Sequence, residues 1–287
     1  MTATLDTATA PRGSHAQAKG NVPIIELRNV DVTFRTRTGS IFKPNLVKAV
    51  QGVNLSLLPG ETIGIVGESG SGKSTTANVM CGLQSPTKGK VFFKGTEVTK
   101  RTATQRKHIG RVVSVVFQDP ATALNARMTV REQLLDPMIV HHIGTKQERN
   151  NRVKELIGLV GLPHSALDAL PGQLSGGQRQ RVAIARALAV GPDAIIADEP
   201  TSALDVSVRA QILNLLTDLK KDLGLAMVFI THDIQTVRYV SDRIAVMNHG
   251  QIVETGPAKD VLNNPQDPYT RTLLGAAPSL LHPKLEG

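Results

Sequence analysis

The chain predicts an α/β fold built on a mainly parallel sheet, and three observations carry that reading. First, the apolar run Thr62-Ile-Gly-Ile-Val66 leads into Gly67-Glu-Ser-Gly-Ser-Gly-Lys-Ser-Thr75 and then into Thr76-Ala-Asn-Val-Met-Cys81, which continues as a helix. That strand–loop–helix setting is what a phosphate-binding loop requires. Second, apolar strands alternate with helices through the rest of the chain, the pattern of crossovers in a parallel sheet. Third, residues 121–174 keep helical spacing with no strand between them and read as a helical insertion.

Taken in order, residues 1–21 are rich in Thr, Ala and Gly and lack the apolar centre of a secretory signal; they read as a disordered tail. Residues 24–34 alternate well enough for an edge-type strand. Residues 35–46 are polar, contain Gly39 and Pro44, and read as an extended loop. A second strand over 47–58 owes its apolar character to Val50, Val53, Leu55 and Leu57, and Pro59-Gly60 turns the chain into the strand before the phosphate loop. Residues 89–95 form another short strand. Residues 100–107 are strongly basic, a solvated helical face. Residues 112–117 are a buried strand by their β-branched content, ending at Gln118-Asp119-Pro120.

In the insertion, Val130, Leu134, Leu135 and Met138 mark one helix and Val153, Leu156, Ile157 and Val160 a second. Ser175-Gly-Gly-Gln178 opens a helix running to about Val190. Residues 194–197 form a buried strand that ends in Asp198-Glu199-Pro200. Residues 206–223 are a long amphipathic helix with Ile212, Leu213, Leu216 and Leu219 inward. Residues 226–230 form a strand ending at Thr231-His232-Asp233, and residues 244–247 and 251–254 a hairpin around His249-Gly250. In an open parallel sheet the ligand sits beyond the carboxyl ends of the strands. The phosphate loop, Gln118, Asp198-Glu199 and His232 all fall at such ends.

Composition narrows the class. The 287 residues allow one large domain or a domain with an insertion. With 33 basic and 24 acidic side chains the net charge is +9, which would suit an anionic partner. Tryptophan is absent and aromatics make up only 3 %, so stacking platforms for single-stranded nucleic acid are not expected and the charge is read as serving nucleotide phosphates and a basic surface. Cys81 is the single cysteine, which excludes an intramolecular disulfide and a cysteine-clustered metal site; it reads as a small buried side chain. No apolar run has the length of a bilayer span.

The chemistry rests on a pair of strand ends. Glycines let backbone N–H groups converge on phosphate oxygens, and the following helix N-terminus adds partial positive charge. Lys73 supplies a point charge for the β- and γ-phosphates, and the Ser74 hydroxyl is placed to ligate Mg²⁺. Asp198, ending an apolar strand, is suited to hold Mg²⁺ directly or through water. The adjacent Glu199 is suited to polarise a water for in-line attack on the γ-phosphate.

These motifs jointly resemble one family. Leu174-Ser-Gly-Gly-Gln178 is similar to the signature of ATP-binding-cassette ATPases. It stands with residues 67–75, Gln118, Asp198-Glu199-Pro200, Thr201-Ser-Ala-Leu-Asp205 and His232 in matching order and approximate spacing over about residues 24–256. The resemblance implies a RecA-like P-loop NTPase core with an antiparallel β subdomain and an inserted helical subdomain. It implies ATP and Mg²⁺ as cofactors, held by Gly67, Ser69, Gly70, Ser71, Gly72, Lys73, Ser74 and Thr75. Phe34 matches the position whose ring stacks on adenine. Gln118 would sense Mg²⁺ and the attacking water, joining Ser74 and Asp198 around the metal, and His232 would contact the γ-phosphate. Asp205 would couple two active sites across a dimer. Ser175, Gly176, Gly177 and Gln178 would meet the γ-phosphate held by the opposite subunit, which gives a second anion site a purpose.

Within the family, Val66-Gly-Glu-Ser-Gly70, Phe117-Gln-Asp-Pro120, Leu124-Asn-Ala-Arg-Met-Thr-Val130 and the long 35–46 loop look like the oligopeptide, dipeptide and nickel importer branch. Asn264-Pro-Gln-Asp-Pro-Tyr-Thr270 resembles that branch's terminal motif, with Asp267 where histidine is usual. Some members carry a terminal cysteine cluster for an iron–sulfur centre, which Cys81 alone cannot supply. The implied organisation is a tail over 1–21, an ATPase domain over 22–256 with its helical subdomain at about 121–174, and an importer-type extension over 257–287. The implied partners are two transmembrane permeases, a second cassette (a paralogue rather than a copy) and, indirectly, an extracytoplasmic solute-binding protein, with no nucleic acid, at the cytoplasmic face of the cell membrane. The competing reading is a soluble cassette ATPase acting on nucleic acid or the ribosome. Such proteins usually carry large insertions or two joined cassettes, and neither is present. A module with a dead site would lack Glu199, Lys73 or His232, and all three are here. An exporter is disfavoured by the branch motifs.

Overall fold

The computed structural model describes residues 22–36, 45–98 and 102–276. The expected tail over 1–21, the middle of the expected 35–46 loop, Lys100 and Arg101 of the basic face and the last residues of the extension lie outside the described residues.

The chain opens with strands β1 (Ile25–Thr36), β2 (Asn45–Leu57) and β3 (Thr62–Val66), then helix α1 (Lys73–Met80) and strands β4 (Lys88–Phe93) and β5 (Thr96–Glu97). Helix α2 (Ala103–Val112) and strand β6 (Val113–Val116) follow, then α3 (Pro120–Ala123), α4 (Val130–Val140) and α5 (Lys146–Leu159). Two 3-10 turns, His164–Asp168 and Pro171–Gln173, lead to α6 (Gly176–Leu188). The remainder alternates: β7 (Ala194–Asp198), α7 (Val206–Leu223), β8 (Ala226–Ile230), α8 (Ile234–Val240), β9 (Arg243–Asn248) and β10 (Gln251–Pro257). The described chain closes with α9 (Ala258–Asn263) and α10 (Pro268–Ala276).

Two sheets result. The six-stranded sheet has the order β10-β9-β3-β8-β7-β6. All neighbours in it are parallel except β10, which pairs antiparallel with β9. Its central strands β3 and β8 are buried at every position, because a parallel sheet is covered on both faces. The second sheet is antiparallel, with the order β2-β1-β4-β5.

Here one expectation fails. Strand β1 is not an edge: it pairs with β2 along one side and with β4 along the other. Alternation reports that one face is buried and is silent about how many edges are paired, so the pattern could not distinguish the two. The hairpin also runs further than its apolar residues do. Arg35 pairs with Leu46 and Thr36 with Asn45, inside the stretch read as loop. A ladder is made by backbone groups and tolerates polar side chains.

Strand alternation divides the core. Ile195, Ala197, Met227 and Phe229 face the helices α4 to α7, packing with Leu134, Met138, Leu156, Ile157, Val182 and Leu216. Ala194, Ile196, Val228 and Ile230 face the other way, onto Ile25, Leu27, Val50 and Leu55 of the antiparallel sheet and Met80 of α1. Residues 120–174 hold helices and no strand, as the spacing of Val130, Leu134, Met138, Val153, Leu156 and Ile157 required; all six are buried. Thr129 with Glu132 and Thr145 with Glu148 form capping boxes that start α4 and α5. A third cluster, around Val66, Ile234, Val237, Ile244, Ala258 and Val261, seats the C-terminal helices.

Candidate active site

The site grows from the ends of the parallel strands. β3 delivers the loop 67–75, β6 delivers Gln118, β7 delivers Asp198 and Glu199, and β8 delivers His232. A cavity of about 810 Å³ opens there, lined by Ser69, Gly70, Gly72, Lys73, Ser74, Thr75, Gln118, Glu199, His232 and Ala49. All but Ala49 were readable as site residues from the sequence. Ala49 sits on β2 of the other sheet, and a small residue in a strand carries no signal of a ligand.

The start of α1 is open. Its cap residue Gly72 has φ of 105° and makes no side-chain capping hydrogen bond. A Cβ at Gly72 would lie 2.5 Å from Ala49 O, so glycine is required both by the left-handed backbone and by the approach of β2. Lys73 is 92 % shielded, its exposure being 8 %. Its Nζ donates to Gly67 O at 2.8 Å and Glu68 O at 2.7 Å. Desolvation lowers its pKa, opposed by the charges of Glu199, Asp198 and Glu68. Gly67 and Ser71 do not line the cavity: both are buried, and the Ser71 Oγ has no hydrogen-bond partner among the described residues. Their contribution to a nucleotide would come from the backbone.

The Glu199 carboxylate is gripped on both oxygens. His232 Nδ1 lies 3.0 Å from Oε1, and Gln118 Nε2 donates to Oε2 at 3.3 Å. Glu199 adopts φ of 45°, a left-handed conformation that costs a non-glycine residue roughly 1–3 kcal/mol. Its N–H donates to Ile230 O at 2.8 Å, and Ser202 N donates to its carbonyl at 3.2 Å. The surrounding backbone thus holds Glu199 in a strained geometry at the wall of the cavity.

Asp198 is set deeper. Burial, then the neighbouring Glu199 charge, raises its pKa, while a hydrogen bond from Ser74 and the Lys73 charge oppose the rise. It lines an adjoining cavity of about 520 Å³ with Phe117, Gln118, Asp119, Thr122 and Ala123. Ser74 and Asp198 present hard oxygen donors side by side, with the Gln118 amide nearby. That is a donor set suited to Mg²⁺, which takes few protein ligands and keeps several waters. Among the described residues there is no cluster of three or more His, Cys, Asp or Glu able to hold a metal.

Other candidates stand apart from the cavity. Phe34 is 39 % exposed, pairs across the hairpin with Val47, and does not line it. Ser175, Gly176, Gly177 and Gln178 start α6 elsewhere. Ser175 Oγ accepts from Gln178 N at 3.2 Å and Gln178 Oε1 accepts from Ser175 N at 2.9 Å. A Cβ on Gly177 would lie 2.7 Å from Val208 Cγ1 of α7. Asp205 caps α7, accepting from Val208 N and from Ser207 Oγ, each at 2.9 Å. Those bonds, that from Val208 first, lower its pKa. Cys81 is half-buried at the end of α1, where burial pushes its thiol pKa up.

One contact was not foreseen. Tyr269 of α10 accepts a hydrogen bond at its Oη from Glu68 N at 3.0 Å, joining the C-terminal region to the phosphate loop. The sequence marks the Asn264–Thr270 stretch as a motif but does not say what it touches. Asp267, the departure from the usual histidine, caps α10 by accepting from Tyr269 N at 2.8 Å.

Comparison with known proteins agrees with this geometry. The family described as ABC transporter matches residues 50–202, and the family described as the C-terminal region of oligopeptide/dipeptide transporters matches residues 253–286. The oligopeptide transport ATP-binding protein AppF of Bacillus subtilis is 45 % identical over 258 residues, covering 89 % of this chain and 78 % of its own length. The dipeptide transport ATP-binding protein DppF of Haemophilus influenzae is 40 % identical over 264 residues, covering 92 % of this chain and 81 % of its own. A dimeric ATP-binding cassette solved in a post-hydrolysis state with ADP and Pi superposes with a TM-score of 0.72 at 34 % identity, covering 82 % of this chain and 98 % of that one.

Proposed function

The chain belongs to the ABC transporter family, and from that premise we propose that it is the ATP-hydrolysing subunit of an importer for peptides or similar small solutes. The observation that carries the catalytic part is the Glu199 carboxylate, held between His232 and Gln118 beside the phosphate loop. The similarity to oligopeptide and dipeptide transport proteins over most of both chains supports the transport part.

In this reading the γ-phosphate of ATP lies against Lys73 and the open start of α1. The Lys73 ammonium, with two N–H groups on the Gly67 and Glu68 carbonyls, turns its third to the phosphate oxygens. Glu199 takes a proton from the attacking water as general base, and Gln118 orients that water. His232 anchors the Glu199 carboxylate and faces the departing phosphoryl group. Ser74 and Asp198, with Gln118, would hold Mg²⁺, whose charge when bound offsets that on the phosphates.

Ser175, Gly176, Gly177 and Asp205 do not line the cavity within one chain and acquire a use when a second cassette closes over it. The Gly176 and Gly177 amides of one chain then meet the γ-phosphate bound to the other. ATP closes the dimer and hydrolysis releases it. The partner is a paralogous cassette, the assembly holds two permeases, and the helical stretch 121–174 with the Gln118 loop receives a short cytoplasmic helix of a permease at the cytoplasmic face of the membrane. Ile139 and Val140 of α4, 51 % and 60 % exposed, supply apolar surface there. Among the described residues no helix is long and apolar enough to cross a membrane. A solute-binding protein outside the membrane is an indirect partner.

Two experiments test this. Glu199→Gln should lower turnover by roughly 10²- to 10⁴-fold and trap an ATP-bound dimer; full turnover in that variant refutes the base assignment. Purification of the tagged chain from detergent-solubilised membranes should recover two multi-spanning permeases and a second cassette. Recovery of ribosomes or repair proteins instead would overturn the transport reading and leave the ATPase intact.

A further inference from the structure

We propose that Tyr269 is a positioning residue of the ATP site and that α10 thereby acts as an outer brace of the phosphate loop. The argument rests on one peptide group. The carbonyl of Gly67 accepts from Lys73 Nζ at 2.8 Å, and the N–H of Glu68 donates to Tyr269 Oη at 3.0 Å. These two groups belong to the same peptide plane, between residues 67 and 68. The plane is held from opposite sides, by the lysine that meets phosphate and by the tyrosine of a distant helix. A planar peptide turns as a unit, so fixing the N–H fixes the direction of the carbonyl and with it the resting place of the ammonium.

The tyrosine itself is anchored. Glu254 of β10 accepts from Gln266 N at 2.8 Å and from Asp267 N at 3.1 Å, which pins the start of α10. Asp267 caps the helix one residue before Pro268. Tyr269, Leu273 and Leu274 pack on the cluster around Val66 and Val237. Leu273 also lines a cavity of about 510 Å³ together with Glu68 and His232, so α10 borders both the loop and the residue that holds Glu199. Loss of the hydroxyl would leave the ring packed and the peptide plane free to rotate. Lys73 would then be less well placed, and ATP affinity would fall before any change in stability.

The inference rests on ATP being the ligand of this loop, and not on the transport reading. The test uses the full chain with Tyr269→Phe. ATP Kd, or KM in the assembled complex, should rise by about 2- to 10-fold, the range expected for one net hydrogen bond. The midpoint of thermal unfolding without nucleotide should stay within a degree or so of the parent. Hydrogen exchange at the Glu68 amide should quicken, a change that a purely packing role would not produce. Glu254→Gln, which loosens the start of α10 with the tyrosine in place, should move the same amide in the same direction by less. Unchanged ATP affinity and unchanged Glu68 exchange in Tyr269→Phe would overturn the proposal. So would a loss of affinity that merely tracks a loss of thermal stability. Failure of the parent chain to bind ATP would instead overturn the ATPase reading.

Discussion

Two helices in this protein carry glycine at the cap or in the first turn, and they begin in opposite ways. Helix α1 has Gly72 as its cap residue and no side-chain cap, and its first residues, Lys73, Ser74 and Thr75, line the cavity. Helix α6 starts at Ser175 with a complete capping box, in which Ser175 and Gln178 satisfy each other's backbone N–H groups. Both ends carry the partial positive charge of a helix N-terminus. Only the first leaves its opening turn undefended by its own side chains. An anion site complete within one chain can remain open because the chain surrounds it with Lys73 and the facing strand β2. A helix start outside that cavity needs its own cap to stay formed, and in the proposed dimer the Gly176 and Gly177 amides would be left for the second cassette.

Gly72→Ala is the strongest way to break this contrast. It forces a Cβ into a left-handed position 2.5 Å from Ala49 O, at a cost of roughly 1–3 kcal/mol. ATP binding, measured by equilibrium titration, should be lost. Gly177→Ala comes next. Its Cβ would meet Val208 Cγ1 at 2.7 Å, and overpacking of α6 on α7 should lower stability by about 1–3 kcal/mol in a denaturant titration. Monomeric ATP affinity should be retained while dimer-dependent turnover falls. If Gly177→Ala instead abolished ATP binding to the isolated chain, the two helix starts would not be independent sites.

Ser175→Ala sharpens the comparison at smaller cost. Losing the cap should destabilise by about 1 kcal/mol, with ATP affinity of the single chain unchanged. The same loss at α1 has no counterpart, since no side chain caps it. The smallest effect concerns the charge beside the open end. Asp198 is raised in pKa by burial and by Glu199, so the folded chain keeps this proton to higher pH than the unfolded chain does. Its contribution therefore disfavours folding increasingly as pH rises through the carboxylate range. Asp198→Asn should raise the thermal midpoint of the nucleotide-free protein modestly at pH 7. The gap from the parent should close as pH falls below that range, while Mg²⁺-dependent ATP binding weakens at neutral pH.

Much of the site was legible because its chemistry is local. The loop 67–75 announces itself through glycine spacing and its lysine, and Asp198-Glu199 and His232 through their places at the ends of apolar runs. Phe34 was legible only as a resemblance, and within the single chain it stands outside the cavity at an exposed hairpin position. Ala49 and Tyr269 were not legible. Ala49 lines the cavity from a strand of the other sheet, and Tyr269 reaches Glu68 across more than two hundred positions of chain. The fold shows the same division. Residues 206–223 and 226–230 were read to their ends because periodicity and flanking breakers define them. Helices α8 to α10 were missed, being short segments with few apolar residues in repeat.

By itself the sequence determined the strands and helices with strong periodicity, the phosphate loop and the carboxylate pair, since each depends on residues adjacent in the chain. The tertiary structure decided which strand edges are paired, as β1 between β2 and β4 shows. It also decided which peptide faces which side chain. Hydrogen bonds between distant segments leave no period in the sequence. The grip of His232 and Gln118 on Glu199 and the reach of Tyr269 to Glu68 therefore exist only once the two sheets and the last helix have packed.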